Sequence, residues 1–357
     1  MLSGRQWVGG CLLSVCFCLF VLGTATVIID PFFHYHAPLG GLQYPINNEQ
    51  YQNDGIVRHF SYDAIITGTS MTENFKTSEF DQIFGVRSVK VPYSGERYRV
   101  INDNLKRAVK ANGDIRIIVR SLDYSMLLRD KDERRSSVAY PDYLYDDCLW
   151  NDVSYVFNKE IFFNNTMGVI SYTHAGGKTT SFDEYANWTA EHTFGREAVA
   201  AGYRRREQKA EVQAEFTEED RERLEGNITQ NITSLAEAHP EITFYLFFTP
   251  YSIYYWDSMN QDGELNRLLE GEKAAIELLL NYDNIHLYSF SDNFPLVCNL
   301  DNYMDIAHYS EEINTQILHW MHQGKYRLTR ENYEAYCRRM REFYSTYDYE
   351  ALFSFLL

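Results

Sequence analysis

The chain has little positive charge for its length. Its 357 residues include 33 lysines and arginines against 50 aspartates and glutamates, which gives a formal net charge of −17 at pH 7. A surface with this charge repels polyanions, so we do not expect nucleic acid to be a partner. The hydrophobic content of 45% and the aromatic content of 15% predict a folded protein with a sizeable core.

Cysteine is scarce outside the N-terminal region. Only Cys148, Cys298 and Cys337 lie in the body of the chain, because the other three fall within an apolar segment near the N-terminus. Three scattered cysteines without a Cys-x-x-Cys pair indicate neither a disulfide framework nor a zinc site. One disulfide and free buried thiols both stay open as interpretations. A glycine-rich phosphate loop is also missing, and we predict no metal and no cofactor.

One long apolar run lies at the N-terminus. Residues 7–29 contain no charged residue, and Arg5 precedes them while Asp30 follows. A helix of this length spans roughly 35 Å at about 1.5 Å per residue, which is enough to cross a bilayer. The positive charge before the run predicts a single-pass protein of the cell membrane, with residues 1–6 in the cytoplasm and an extracytoplasmic body. The alternative is a signal peptide that is cleaved near Ala25.

Beyond this run, short apolar strands alternate with amphipathic helices. Residues 30–60 contain three prolines and a Gly-Gly pair, so they are expected to form an irregular lead-in. From residue 61 to 325 the alternation predicts a three-layer α/β/α domain with a parallel sheet. Residues 125–215 interrupt this pattern, and we expect a partly helical insertion that forms a lid over the functional site of the domain. Residues 326–357 are predicted to form a helical tail.

Two short segments supply a serine, a histidine and a carboxylate. Ser70 follows a predicted strand and precedes a predicted helix, which puts its hydroxyl at the carboxyl edge of the sheet. Asp305 and His308 lie three residues apart, just before the last predicted helix of the domain. Imidazole is the natural general base for a serine, and a carboxylate fixes its tautomer. We therefore expect His308 Nε2 at roughly 2.6–3.2 Å from Ser70 Oγ. The alternative is that Ser70 merely caps a helix.

The order of these blocks resembles the SGNH/GDSL hydrolase superfamily. Residues 66–70 are similar to its first block, with threonine where the eponymous motif has aspartate. Residues 92–95 follow the second predicted strand and are similar to its second block, which contributes a glycine N–H in the family. The resemblance implies that the backbone N–H groups of Ser70 and Gly95 form an oxyanion hole.

One block departs from the family pattern. Members often carry an asparagine oxyanion donor after the third strand, whereas this chain has Asp123 between Arg120 and Tyr124 there. Because an ionised aspartate cannot donate a hydrogen bond, Arg120 and Tyr124 are the candidate substitutes. Tyr251 follows a later apolar strand, so it is a candidate for supporting the substrate or the oxyanion, with a plain turn as the alternative.

The blocks and the apolar run together are most similar to a membrane-anchored branch of the superfamily that serves teichoic-acid D-alanylation and alginate O-acetylation. The resemblance implies an extracytoplasmic serine esterase or O-acyltransferase. Its substrate would be a bacterial cell-wall or exopolysaccharide polymer, and its partner a membrane-bound O-acyltransferase. Two alternatives stay open. One is an esterase that deacylates the same glycans. The other is a non-catalytic scaffold or glycan-binding partner of the acyltransferase, which the missing asparagine favours.

Overall fold

The computed structural model describes residues 3–135 and 140–353. These residues form two compact units, which we call the N-terminal unit (residues 3–60 and 140–181) and the sheet unit (residues 61–135 and 182–353). The insertion expected at 125–215 is therefore not one element. Its middle part folds with the N-terminal residues, and its last part folds with the sheet.

Six strands form the sheet, and they are β1 (Ala64–Gly68), β2 (Ser88–Pro92), β3 (Ile117–Leu122), β4 (Thr243–Phe248), β5 (Ile285–Ser289) and β6 (Arg327–Leu328). Their order is β2-β1-β3-β4-β5-β6. The first five are parallel, and β6 is antiparallel to β5. Every residue of β1 and β2 is buried, as expected for parallel strands that are covered on both faces. The chain is therefore a mixed α/β protein, as its alternating pattern predicts.

The helices of the sheet unit pack against one another in two groups. Thr77–Phe84 packs against Glu311–His322, whereas Leu265–Leu279 packs against both Glu218–Ile228 and Tyr333–Thr346. The other α-helices of the unit are Tyr98–Ala111, Tyr124–Leu127, Arg196–Gly202, Ser234–Ala238, Ile253–Asp262 and Phe294–Cys298. Tighter or wider turns are Ser70–Thr72, Thr189–Glu191, Leu300–Asn302 and Tyr349–Phe353, which are 3₁₀-helical, and Thr229–Thr233, which is π-helical.

The C-terminal tail differs from the expectation of a purely helical segment. It begins with the two-residue strand β6, which pairs with β5 at the edge of the sheet. The helix Tyr333–Thr346 follows, and residues 354–357 of the predicted tail lie outside the described residues. Two residues are too few to show the alternation that marks a strand, so the sequence pattern did not indicate β6.

The N-terminal unit is helical throughout its regular elements. Its α-helices are Gly4–Ile29, Glu49–His59, Val153–Val156 and Met167–His174, with a 3₁₀ turn at Asp142–Leu144 and a π-helical turn at Ile161–Thr166. We call the first of these the anchor helix. It is long and apolar enough to cross a membrane, a property that it shares with signal sequences. A small core of Phe32, Leu144, Tyr155 and Ile161 joins the two parts of this unit.

The lead-in at 30–60 is not wholly irregular, because it contains the helix Glu49–His59. Its sequence includes a run of Asn, Asp and Gly, residues that have low helix propensity. Specific polar contacts offset this. The side chain of Asn48 accepts from the Tyr51 N–H, and Gln52 Oε1 accepts from the N–H groups of Asn47 and Asn48. These contacts depend on where the buried side chains lie, which propensity does not report.

Of the two interpretations left open for the cysteines, a disulfide or free thiols, the structure shows free thiols. All six lie in the described residues and are free thiols. Burial raises the pKa of Cys337 to about 12, and it also raises the pKa of Cys298. A thiol with a raised pKa is a poor nucleophile, so neither of these half-buried residues is a candidate nucleophile.

Candidate active site

Ser70 lies just after β1, at the point where the strand turns sharply. The strand ends at Gly68, whose φ is 150°. A Cβ at this position would lie 2.3 Å from Ser121 Oγ and 2.7 Å from Thr72 Cγ2, so only glycine fits. Gly68 thus lets the chain turn tightly against the neighbouring strand and leaves Ser70 at the carboxyl edge of the sheet.

Ser70 does not cap a helix. It opens a single 3₁₀ turn, Ser70–Thr72, and the cap is Thr69, whose Oγ1 accepts from the Met71 N–H at 3.4 Å. The α-helix that follows this turn begins at Thr77, within one residue of its predicted start at Lys76. The hydroxyl of Ser70 is therefore available to a partner outside its own turn.

That partner is His308, which lies 238 residues later in the chain. Ser70 Oγ and His308 Nε2 are 2.8 Å apart, inside the range expected for a serine and its general base. His308 Nδ1 lies 2.7 Å from Asp305 Oδ2. The other carboxylate oxygen of Asp305 accepts from the backbone N–H groups of Ala307 and His308 at 2.8 and 2.7 Å. Asp305 therefore holds both the ring of His308 and the turn that carries it.

The charges around His308 favour its protonated form. Burial of the imidazole lowers its pKa, but the hydrogen bond and charge of Asp305, with the charges of Glu73 and Asp123, raise the pKa above the usual value. Burial raises the pKa of Asp305 in turn, and its bonds to His308 outweigh this and leave the pKa lowered. Asp305 is thus ionised near neutral pH, and it stabilises the imidazolium that forms when a serine gives up its proton.

Gly95 lies in the loop after β2, beside the Ser70 turn. The two loops are joined because Tyr93 N–H donates to Gly68 O at 2.8 Å. Gly95 has φ of 67°, and a Cβ there would lie 2.8 Å from Arg135 Nη1. Arg135 Nη1 also donates to Ser94 O at 3.2 Å. The glycine therefore gives the loop a left-handed conformation beneath a guanidinium group.

Arg120 is engaged elsewhere and is not retained as a support for the oxyanion. Its side chain is buried, and its guanidinium donates to Asn231 O at 2.7 Å and to Tyr98 O at 3.4 Å. The guanidinium also lies over the ring of Tyr98, 5.1 Å from the ring centroid. Both terminal nitrogens of the guanidinium are thus committed to backbone carbonyls, whereas Nε is buried without a hydrogen-bond partner among the described residues.

The hydroxyl of Tyr124 is also engaged in hydrogen bonds to buried side chains. This buried hydroxyl donates to Glu272 Oε1 at 2.9 Å and lies 2.8 Å from Ser291 Oγ. Tyr336 donates to the same carboxylate oxygen at 2.6 Å. We therefore do not retain Tyr124 as an oxyanion donor. Despite these two bonds, burial raises the pKa of Glu272 to about 7.

Because the pKa of Glu272 is raised by burial, we expect the free energy of unfolding to depend on pH. The unfolded chain loses the Glu272 proton near its ordinary pKa, whereas the folded chain holds it up to about pH 7. Stability is therefore lost as the pH rises between these two values, by about 3 kcal/mol in total. We expect Glu272→Gln to raise the free energy of unfolding in urea at pH 8 but not at pH 4.5. Glu277→Gln, on the exposed face of the same helix, should change neither value, and an unstabilised Glu272→Gln at pH 8 would contradict the account.

Tyr251 is linked through Asp123 to Thr69, the residue before Ser70. Its hydroxyl donates to Asp123 Oδ1 at 2.8 Å, and Asp123 Oδ2 accepts from Thr69 Oγ1 at 3.0 Å and from Ser121 Oγ at 3.3 Å. Burial raises the pKa of Asp123. The third block thus carries an acceptor that ties down the residue before Ser70. Tyr251 acts as a positioning residue through Asp123, since its own proton is committed.

Two further residues flank the site, and the sequence analysis did not find them. The ring of Trp188 meets His308 edge-on, with centroids 5.6 Å apart, and it stacks on Phe194 at 6.2 Å. The backbone N–H of Trp188 donates to Asn74 Oδ1 at 3.1 Å, which fixes this segment to the chain just after Ser70. Trp188 and Phe194 lie in the insertion, where no motif marked them. The last part of the insertion therefore forms an aromatic wall beside the histidine.

Lys90 binds the chain segment that directly follows the Ser70 turn. It is a fully buried lysine on β2, and its ammonium donates to Glu73 O and to Phe75 O, the latter at 2.9 Å. A charged residue in the middle of a buried strand gave no functional signal in the sequence. Among residues 3–135 and 140–353, no group of three or more His, Cys, Asp or Glu side chains is arranged to hold a metal ion.

Comparison with known proteins gives little beyond this geometry. No family model matches the chain, and no curated protein matches it. One similar solved structure, from Streptococcus pneumonia, is provisionally described as a platelet activating factor. It shares 12% identity at a TM-score of 0.39, over 77% of this chain and 89% of that one. A TM-score this low does not establish a shared fold, so the neighbour adds nothing to the functional argument.

Proposed function

We propose that this protein is a serine acyl esterase or O-acyltransferase with an SGNH-type three-layer α/β/α domain. The observation that carries the proposal is the hydrogen-bonded chain from Ser70 Oγ to His308 Nε2 and from His308 Nδ1 to Asp305, at 2.8 and 2.7 Å. A helix cap needs none of these contacts, whereas a covalent serine mechanism needs all of them.

The reaction begins when Ser70 Oγ attacks the carbonyl carbon of an acyl ester. His308 Nε2 takes the hydroxyl proton, and Asp305 stabilises the imidazolium that results. The N–H groups of Ser70 and Gly95 stabilise the negative charge that develops on the carbonyl oxygen. His308 then returns the proton to the departing alcohol oxygen as the carbon–oxygen bond breaks, which leaves the acyl group on Ser70.

The second half of the reaction repeats these steps with an incoming hydroxyl. His308 removes its proton, the oxygen attacks the acyl-serine, and the proton returns to Ser70 Oγ as the enzyme is released. A sugar hydroxyl as acceptor gives acyl transfer, and water gives hydrolysis. The same three residues serve both outcomes, so the acceptor that reaches the acyl-enzyme decides between a transferase and a deacylating esterase.

The proposed substrate is an O-acyl group on a cell-wall or exopolysaccharide polymer. The stacked rings of Trp188 and Phe194 beside His308 support a sugar substrate, because aromatic rings pack against the apolar faces of sugars. The anchor helix supports a single-pass location in the cell membrane with the sheet unit outside. A membrane-bound O-acyltransferase that delivers the acyl group is the proposed partner.

Labelling of the full-length chain with a fluorophosphonate tests the serine chemistry. We expect one adduct per chain, located by peptide mass spectrometry on Ser70, because the reagent captures only a serine that a neighbouring base activates. Ser88→Ala should label like the native chain, since Ser88 is buried at the start of β2, at the other end of the strands from Ser70. A chain that takes no adduct, or takes it on another serine, would leave the non-catalytic scaffold as the better account.

A further inference from the structure

The last two turns of the anchor helix are built into the N-terminal unit. Gly23 and Thr26 are the buried residues of this otherwise exposed helix. A Cβ on Gly23 would lie 3.1 Å from side-chain atoms of both Val156 and Phe157, so a small residue is needed for this close packing. Thr26 Oγ1 lies 3.5 Å from Thr166 Oγ1. The segment 153–166 is thus held at a defined height along the anchor helix.

The residue after the helix strengthens this attachment. Asp30 is fully buried, and its carboxylate accepts from the backbone N–H groups of His34, Tyr35 and His36 and from the hydroxyl of Tyr155 at 2.7 Å. These four bonds join the end of the anchor helix to both chain segments of the unit. Cleavage of a signal peptide near Ala25 would remove Gly23 from this packing, which argues that the helix is retained.

The height of the segment can be compared with the thickness of a bilayer. Starting from Trp7, about 20 residues of helix cover the roughly 30 Å of hydrocarbon, which ends close to Thr26. The packing contacts at Gly23 and Thr26 therefore lie at the outer boundary of the hydrocarbon layer. Any side chain that surrounds the anchor helix at this height meets lipid rather than water.

The side chains found at this height are apolar and exposed. Leu149, Trp150, Val153, Phe157 and Phe163 have exposed fractions of 75%, 93%, 56%, 51% and 66%. We call these five residues the apolar collar. A water-soluble surface rarely leaves so many large apolar side chains together, and tryptophan is enriched where membranes meet water.

A groove and an ion pair lie beside the apolar collar. An open groove of about 360 Å³ runs between Val27 of the anchor helix and collar residues that include Leu149, Trp150 and Phe157. Its polar lining residues, Tyr35 and Asp152, are hydrogen-bonded to each other, so the lining that remains is apolar and suits a hydrocarbon chain. The exposed pair Lys159 and Glu160, 3.8 Å apart, is the charged exception within this segment. The long stem of the lysine lets its ammonium reach the headgroups while its neighbours are immersed.

We propose that the apolar collar inserts into the outer leaflet around the anchor helix, with a phospholipid acyl chain in the groove beside Val27. The N-terminal unit then rests in the membrane interface as well as being tethered to it. Insertion of the apolar collar restricts the tilt and rotation that a single membrane-spanning helix leaves free. This inference rests on the N-terminal unit alone and holds whether or not Ser70 is catalytic.

Fluorescence of the full-length chain in nanodiscs that contain only phospholipid tests the proposal. The emission of Trp150 is isolated as the difference between the native chain and Trp150→Phe. We expect brominated acyl chains to quench this difference emission at least about twofold, and aqueous iodide to have little effect. The difference emission of Trp256, obtained with Trp256→Phe, is the control, because this fully buried residue should respond to neither quencher.

A second measurement removes the dependence on one tryptophan. Replacing Leu149, Val153 and Phe157 by serine should make Trp150 accessible to iodide, while the intact mass should differ from that of the native chain by the three substitutions alone, with the anchor helix retained. The proposal is overturned if Trp150 in the native chain is quenched by iodide and not by brominated lipid. That result would assign the collar to a protein partner that empty nanodiscs lack. An intact mass that corresponds to loss of residues 1–25 would overturn it equally.

Discussion

Replacing Ser70 by alanine is expected to lower the turnover of p-nitrophenyl acetate by at least about 1,000-fold. The physical reason is that alanine removes the atom that forms the covalent intermediate, and the remaining groups can only bind and polarise the ester. Ser70 is half-buried and its hydroxyl bonds to His308, so the change removes one hydrogen bond and little packing. The measurement is the initial rate of nitrophenol release by the full-length chain.

The matched control is Ser88→Ala. Ser88 is buried at the start of β2, opposite Ala64, and so lies at the other end of the strands from Ser70. Removal of its hydroxyl should leave turnover unchanged. Retention of more than about a tenth of the native rate by Ser70→Ala would be incompatible with a covalent role. The proposed acyl-enzyme would then have to be abandoned, whatever the geometry of the site.

Replacing Asp305 by asparagine is expected to lower kcat/KM by about 100- to 10,000-fold. Asparagine keeps the shape but removes the charge that stabilises the imidazolium, and its amide favours the wrong tautomer of His308. The pH profile should change as well. Native activity needs neutral His308, so it falls as the pH drops through the raised pKa of that residue. Without Asp305 the pKa falls, and the acidic limb of the profile should move to lower pH.

Asp301→Asn provides the control for this variant. Asp301 is exposed in the 3₁₀ turn Leu300–Asn302, a few residues before Asp305. It should therefore leave both the rate and the acidic limb in place. The split between the two readouts is informative, because a purely structural loss would lower the rate of Asp305→Asn without moving the limb. An unmoved limb would thus argue against Asp305 as the partner of His308.

That Ser70, Asp305 and His308 come together was easier to predict from the sequence than the contacts of the residues around them. Ser70, Asp305 and His308 were chosen because their types and their places relative to strands suited one reaction. Arg120 and Tyr124 were chosen by position in the third block alone, and their donors turned out to be used by backbone carbonyls and by Glu272. The direction of a side chain at a strand end depends on packing, which block position does not reveal.

Residues supplied by distant segments were missed for a related reason. Trp188 reaches His308 from the insertion, and Lys90 holds the Ser70 turn from within a buried strand. Neither stands in a recognisable pattern, because its role comes from a contact with a segment far away in the chain. The helix Glu49–His59 was missed because hydrogen bonds of the Gln52 side chain, to the backbone before the helix and to Pro31 O, offset its poor propensity.

The sequence by itself determined the alternation of strands and helices, the apolar N-terminal helix and the chemical types available for catalysis, since these follow from local periodicity and composition. Only the tertiary structure decided that Thr69 rather than Ser70 caps the turn, and that the Ser70 hydroxyl meets His308 across 238 residues. It also decided that the middle part of the insertion folds with the N-terminal residues and the last part with the sheet. Each of these depends on contacts between residues distant in the chain, and no local pattern encodes such a contact.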